Sequence, residues 1–227
     1  MCPNAIDAVG NHSPGQTAES LSIPECVPGD DISQSAYGVA SRDLHPAILS
    51  HSLRVYLFAK SLAAREQSLW ASPERLRLLF ASCIYHDIGT CTGAKDAQRF
   101  EVVGADTAAH ALRSLNVPDA DVHEVWVAVA LHTSPHIAER ISPLARLVRL
   151  AVTMDFKRPA AMVFTTEVEV EANERSFPRM EIEKVLGDAV VEQALHSPEK
   201  APMVSWPGVI LRSKMENPEW EGVNKAF

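Results

Sequence analysis

The chain has 227 residues, 46% of them apolar and 6% aromatic, which supports one well-packed domain with a core of Leu, Val, Ala and Ile. Its 29 acidic against 21 basic residues give a formal charge of -8, and no Lys/Arg run relieves it. A nucleic-acid partner is therefore not expected. Nor is a membrane span, because the longest unbroken apolar run, Val125 to Leu131, is seven residues against about 18 for a spanning helix.

Residues 1 to 35 are rich in Ser, Pro, Gly and Asn and are expected to form a mobile or surface-wrapping arm, since they bury too little to offset ordering. Residues 36–227 then form the domain. From Leu44 the pattern turns helical. Pro46 suits a first helical turn, and Ala47, His51, Val55, Phe58 and Leu62 share one face at three-to-four-residue spacing. Ser72-Pro73-Glu74 starts a second helix with a hydroxyl cap, a proline and an acid at the positive end of the dipole. It runs through Leu76, Leu79, Phe80 and Cys83 to His86, and Gly89 and Gly93 end it.

A third helix is predicted from Val102 to Leu115. A fourth opens at Pro118-Asp119 and carries Val122, Val125 and Val129 up to His132, where Thr133-Ser134-Pro135 breaks or restarts it. Ser142-Pro143 opens a fifth that ends near Asp155. Val168-Glu169-Val170 is too short and too charged to count as a strand. A last helix is predicted from Met180 to Leu195, followed by an extended Pro/Trp-rich tail. The expected fold is all-α, a single helical bundle.

Four cysteines (Cys2, Cys26, Cys83, Cys91) lie scattered without a C-x-x-C and read as free thiols of a reducing cytosol. No basic n-region followed by an apolar block is visible at the start, so the expected location is cytoplasmic.

The chemistry lies in a histidine, a His-Asp dipeptide and a lone aspartate: His51, His86-Asp87 and Asp155. Two imidazoles and two carboxylates suit one divalent metal, and the metal's charge offsets the cost of burying them. The gaps between them mean that only a folded bundle could bring the four together, as ligands on facing helices.

On these residues the chain resembles the HD-domain superfamily of metal-dependent hydrolases, whose pattern is H…HD…D, over about residues 44–156. The surrounding words narrow the resemblance to the cyanamide hydratases. They are His45-Pro46, His51-Ser52-Leu53-Arg54-Val55-Tyr56, Tyr85-His86-Asp87-Ile88-Gly89-Thr90 and Arg99-Phe100-Glu101-Val102-Val103-Gly104-Ala105-Asp106. Leu131-His132-Thr133-Ser134-Pro135-His136, Ser205-Trp206-Pro207-Gly208 and Asn217-Pro218-Glu219-Trp220-Glu221-Gly222 complete the set. One departure is informative. Two-metal phosphodiesterases of this superfamily carry a histidine where this chain has Phe100, and a phenyl ring cannot ligate a metal. That argues for one ion, zinc first and iron second.

The resemblance implies a hydro-lyase that hydrates cyanamide to urea, hydroxide generated at the ion attacking the nitrile carbon. Asp87 is expected to double as an acid-base group. His132 and His136, four apart, would orient substrate, shuttle protons or help hold a second ion. Thr90 would hydrogen-bond substrate or simply cap its helix, and Lys95 would act from the following loop or stay solvated. Trp206 and Trp220 are expected to anchor the tail on the bundle or on a neighbouring subunit, which leaves a homo-oligomer open. The alternative is a phosphohydrolase acting on nucleotides or small phosphate esters. Arg54 and Lys95 would be its only basic residues near the motifs, thin provision for a transferring phosphate. A third reading is a regulatory module that keeps the fold without the chemistry.

Overall fold

A computed structural model describes residues 23–91, 97–217 and 219. It is all-α; among the described residues there is no strand, and no helix is long and apolar enough to cross a membrane. The helices are α1 (Asp31–Asp43), α2 (Pro46–Arg65), α3 (Pro73–Tyr85), α4 (Phe100–Ser114) and α5 (Asp119–Leu131). They continue as α6 (Ala138–Ile141), α7 (Pro143–Asp155), α8 (Glu167–Ser176), α9 (Ile182–His196) and α10 (Trp206–Glu216).

Four of these build the frame. Helix α2 packs on both α3 and α7, and α5 packs on the same two, so each of the four touches at least two others in a closed square. The apolar face predicted for α2 is buried as expected: Ala47, His51, Val55, Phe58 and Leu62 all lie in the core. Helix α4 lies across α5 and the turn that follows α3, while α9 packs on α2 and α10. Prolines sit in the first turns of α2, α3 and α7, where a missing N–H leaves no broken bond.

Three elements differ from expectation. The proposed arm ends too late, because Asp30 caps α1 through Ser33 N at 3.1 Å and Ile32, Ala36, Tyr37 and Ala40 are buried. Two of those four are alanines, whose small side chains give a weak periodic signal. Residues 1–22 of the arm lie outside the described residues. Helix α8 was missed because only Val170 and Asn173 of its ten residues are buried. The tail is not extended: Ser205 accepts from Gly208 N at 3.2 Å and opens α10 with Pro207 in its first turn. Ser205-Trp206-Pro207 is a helix start of the same kind as Ser72-Pro73, so that signal was present in the sequence. Trp220 and Gly93 lie outside the described residues.

Two glycines let α4 approach the end of α3. A Cβ on Gly104 would stand 2.9 Å from the Tyr85 carbonyl oxygen, and one on Gly89 would stand 2.1 Å from that of Phe100. Backbone cannot yield as a flexible side chain can, so Gly89→Ala is expected to destabilise the fold by about 1–3 kcal/mol. Urea unfolding of the variant checks this, and an unchanged midpoint would contradict the contact.

Candidate metal centre

The frame aims three imidazoles at one point. His51 lies within α2, His86 closes α3, and His132 closes α5. Each is pinned through Nδ1: His51 to Asp155 Oδ2 at 2.6 Å, His86 to the Cys83 carbonyl at 2.7 Å, and His132 to the Val129 carbonyl at 2.7 Å. Ionised carboxylates and carbonyls only accept, so each Nδ1 carries a proton, and in the neutral ring each Nε2 keeps its lone pair for a cation. Arg149 Nη1 donates to the His132 carbonyl at 3.1 Å and holds that helix end in place.

Those lone pairs meet Asp87. Its Oδ2 is 3.0 Å from His86 Nε2 and 3.6 Å from His51 Nε2, and its Oδ1 is 3.4 Å from His132 Nε2. The two nitrogens of His51 and His86 face each other at 3.2 Å. Asp87 Oδ2 is buried without a hydrogen-bond partner. Bare nitrogens and a carboxylate oxygen packed this closely repel one another unless a cation lies among them. His51, His86 and Asp87 thus offer atoms all within 4.8 Å of one another, with His132 on the other oxygen of Asp87. Nitrogen and carboxylate donors in this proportion suit zinc or iron.

The electrostatics agree. Burial pushes the His51 pKa down, outweighing Asp155. Burial opposes charge on His86 too, but adjacent Asp87 outweighs it and the pKa is raised. Burial likewise opposes ionisation of Asp87, yet His86 and His132 hold its carboxyl well below the usual range. The ionised Asp87 carboxylate is the negative charge that draws a cation to this point.

Asp155 is not brought into this set as a fourth ligand. Its carboxylate lies behind His51 and is gripped by Arg54, Nε on Oδ1 at 2.6 Å and Nη2 on Oδ2 at 2.8 Å. Arg54 is completely buried and also donates to the carbonyls of Phe177 and Pro178 at 2.9 and 3.0 Å. Burial alone would raise the Asp155 carboxyl, but Arg54 and His51 outweigh it and hold it low. Both oxygens are committed, so Asp155 orients the imidazole from outside, the carboxylate–histidine arrangement common behind metal ligands.

The remaining sequence candidates separate in space. His136 is exposed in the turn after α5 with φ 67°, away from the site. Its spacing from His132 would matter only on a continuous helix, and the chain turns at Pro135. Thr90 is buried, but its hydroxyl donates to the Asp87 carbonyl at 2.7 Å, so it holds the turn and does not line the cavity. Lys95 lies outside the described residues. Cys83 is a core residue whose thiol burial pushes well up. Phe100 meets His132 edge-on with ring centroids 5.7 Å apart, and a phenyl ring offers no ligand atom to a second ion. Elemental analysis is expected to find one divalent ion per chain; two would contradict this reading.

Sequence reasoning missed one network. Glu101 is completely buried and accepts from the Thr133 hydroxyl at 2.7 Å and from Arg99 Nη2 at 2.5 Å. Thr133 in turn lines the cavity beside the metal centre. An acid next to Phe100 on a helix start reads as a solvated dipole partner, and only tertiary packing reveals its partners.

No curated protein matches the chain. Residues 48–151 match the family model described as HD domain. That span holds His51, His86, Asp87 and His132 and stops short of Asp155, so the matched segment is the one that carries the clustered imidazoles and Asp87.

Proposed function

We propose that this protein hydrates a small nitrile-type substrate, cyanamide foremost, to the corresponding amide, in that case urea. HD-domain proteins are in general metal-dependent hydrolases. One observation carries the finer reading: the cavity at the ligand atoms. It is a narrow space walled by Phe100, Val152, Phe156, Leu186, Trp206 and Thr133 besides the four ligand residues. Among the described residues no lysine or arginine lines it. Such a wall suits a small neutral molecule and offers a polyanionic phosphate no cationic side chain.

His51, His86, Asp87 and His132 would hold the ion. A divalent ion bound there supplies a water acidified toward neutral pH and an electrophilic pull on the substrate. The chain's own residues do the rest. Phe100, Phe156 and Trp206 exclude bulk water, which strengthens every electrostatic interaction inside. Thr133 has committed its proton to Glu101, so its oxygen is an acceptor for a substrate N–H. Water's oxygen bonds to the nitrile carbon, the displaced π pair and a proton go to nitrogen, and tautomerisation gives the amide. Nothing leaves, so no covalent nucleophile or redox partner is needed.

The phosphohydrolase alternative would need a cation at the cavity, and Arg54 is already committed to Asp155. Urea release from cyanamide, run beside phosphate release from a nucleotide panel, tests the proposal. Urea formation is the expected result; phosphate release without urea would overturn it.

A further inference from the structure

A second cavity, about 300 Å³ and open to solvent, lies beside the metal centre. Arg99, Ser134, Ile137, Val204 and Val209 contribute to its wall. Thr133 and Trp206 line both cavities. We propose that Trp206 is the specificity-determining partition between an entrance vestibule and the metal chamber, restricting the chamber to substrates of a few heavy atoms. The inference rests on the reading of the inner cavity as the reacting site.

The indole is held as a wall. Ser205 N and its hydroxyl bond to the Pro202 carbonyl at 2.9 and 2.6 Å, and Ser205 caps α10 through Gly208 N. Gly208 allows that close approach, since a Cβ there would stand 2.1 Å from the Pro202 carbonyl oxygen. On the inner side Trp206 meets Phe100 edge-on at 5.8 Å. Opposite, Thr133 is fixed by Glu101. Both halves of the partition are thus tied to backbone or to a buried charge. Beyond it, Val204 and Ile137 give the vestibule an apolar surface, both of them exposed. Without the indole the two spaces join, so a reacting group could sit at the ion while an aryl substituent occupies the vestibule.

The test uses two probes of the centre that differ only in bulk, imidazole and 4-phenylimidazole, titrated into cobalt(II)-substituted protein and read by its visible spectrum. The intact protein is expected to bind the phenyl compound roughly tenfold or more weakly than imidazole; in Trp206→Ala the phenyl compound should tighten by about tenfold, with imidazole changed less than about threefold. Trp206→Leu, which keeps apolar packing, is the second variant should alanine impair folding. An unchanged affinity ratio in a folded variant overturns the partition. Hydration of cyanamide and phenylcyanamide is followed in parallel. A shifted probe ratio without urea from the intact protein leaves the partition standing and removes the functional reading, while urea formation with an unshifted ratio removes the partition alone.

Discussion

His86→Ala is expected to lose the ion and to cut turnover by on the order of a thousandfold, equivalent to about 4 kcal/mol of transition-state stabilisation. The size follows from geometry. His86 Nε2 stands 3.2 Å from His51 Nε2 and 3.0 Å from Asp87 Oδ2, so it contacts both other members of the tightest ligand group. Elemental analysis and urea formation at matched folding, with His86→Gln as a near-isosteric control, read both effects. Full metal content and undiminished activity in His86→Ala would point to a different site, or to a module that keeps the fold without this chemistry.

Asp155→Ala is expected to act in a different way, on stability first and on metal second. Removing the carboxylate leaves the fully buried Arg54 guanidinium with its charge unmatched. Breaking a buried pair from one side costs about 3–5 kcal/mol. His51 also loses the acceptor that fixes its tautomer, for which a drop of about 10–100-fold in ion affinity is expected. Denaturant unfolding and a competitive metal titration separate the two effects. Loss of metal with unaltered stability would instead mark Asp155 as a direct ligand. The pH dependence has a definite sign. The folded-state pKa is depressed, so this stabilisation is full above the unfolded-state value of about 3.9 and is lost as pH falls from there through the folded-state pKa.

Most of the scaffold could be read from the amino acids. Pro46, Pro73 and Pro143 each marked a helix that forms, and the face of α2 predicted from its spacing is the face that is buried. Where some buried side chains were small, as Ala36 and Ala40 in α1, or few, as in α8, the periodic signal failed and tertiary contacts supplied the stability. The chemistry was legible in part. His51 and His86-Asp87 stand out because imidazoles and carboxylates amid apolar stripes need a reason to be there.

What the linear order determined, then, is an all-α bundle with a metal-type residue set at the ends and inner faces of its helices, because helix periodicity and capping are local properties of a few neighbouring side chains. Which residues converge was decided only by packing. The square of α2, α3, α5 and α7 brings His132 to Asp87, the turn at Pro135 carries His136 outward, and buried Arg54 draws Asp155 behind His51. The Glu101–Thr133 pair and the Trp206 wall arise in the same way. These contacts join residues many turns apart in the chain, and their geometry follows from how whole helices pack, which short-range spacing does not encode.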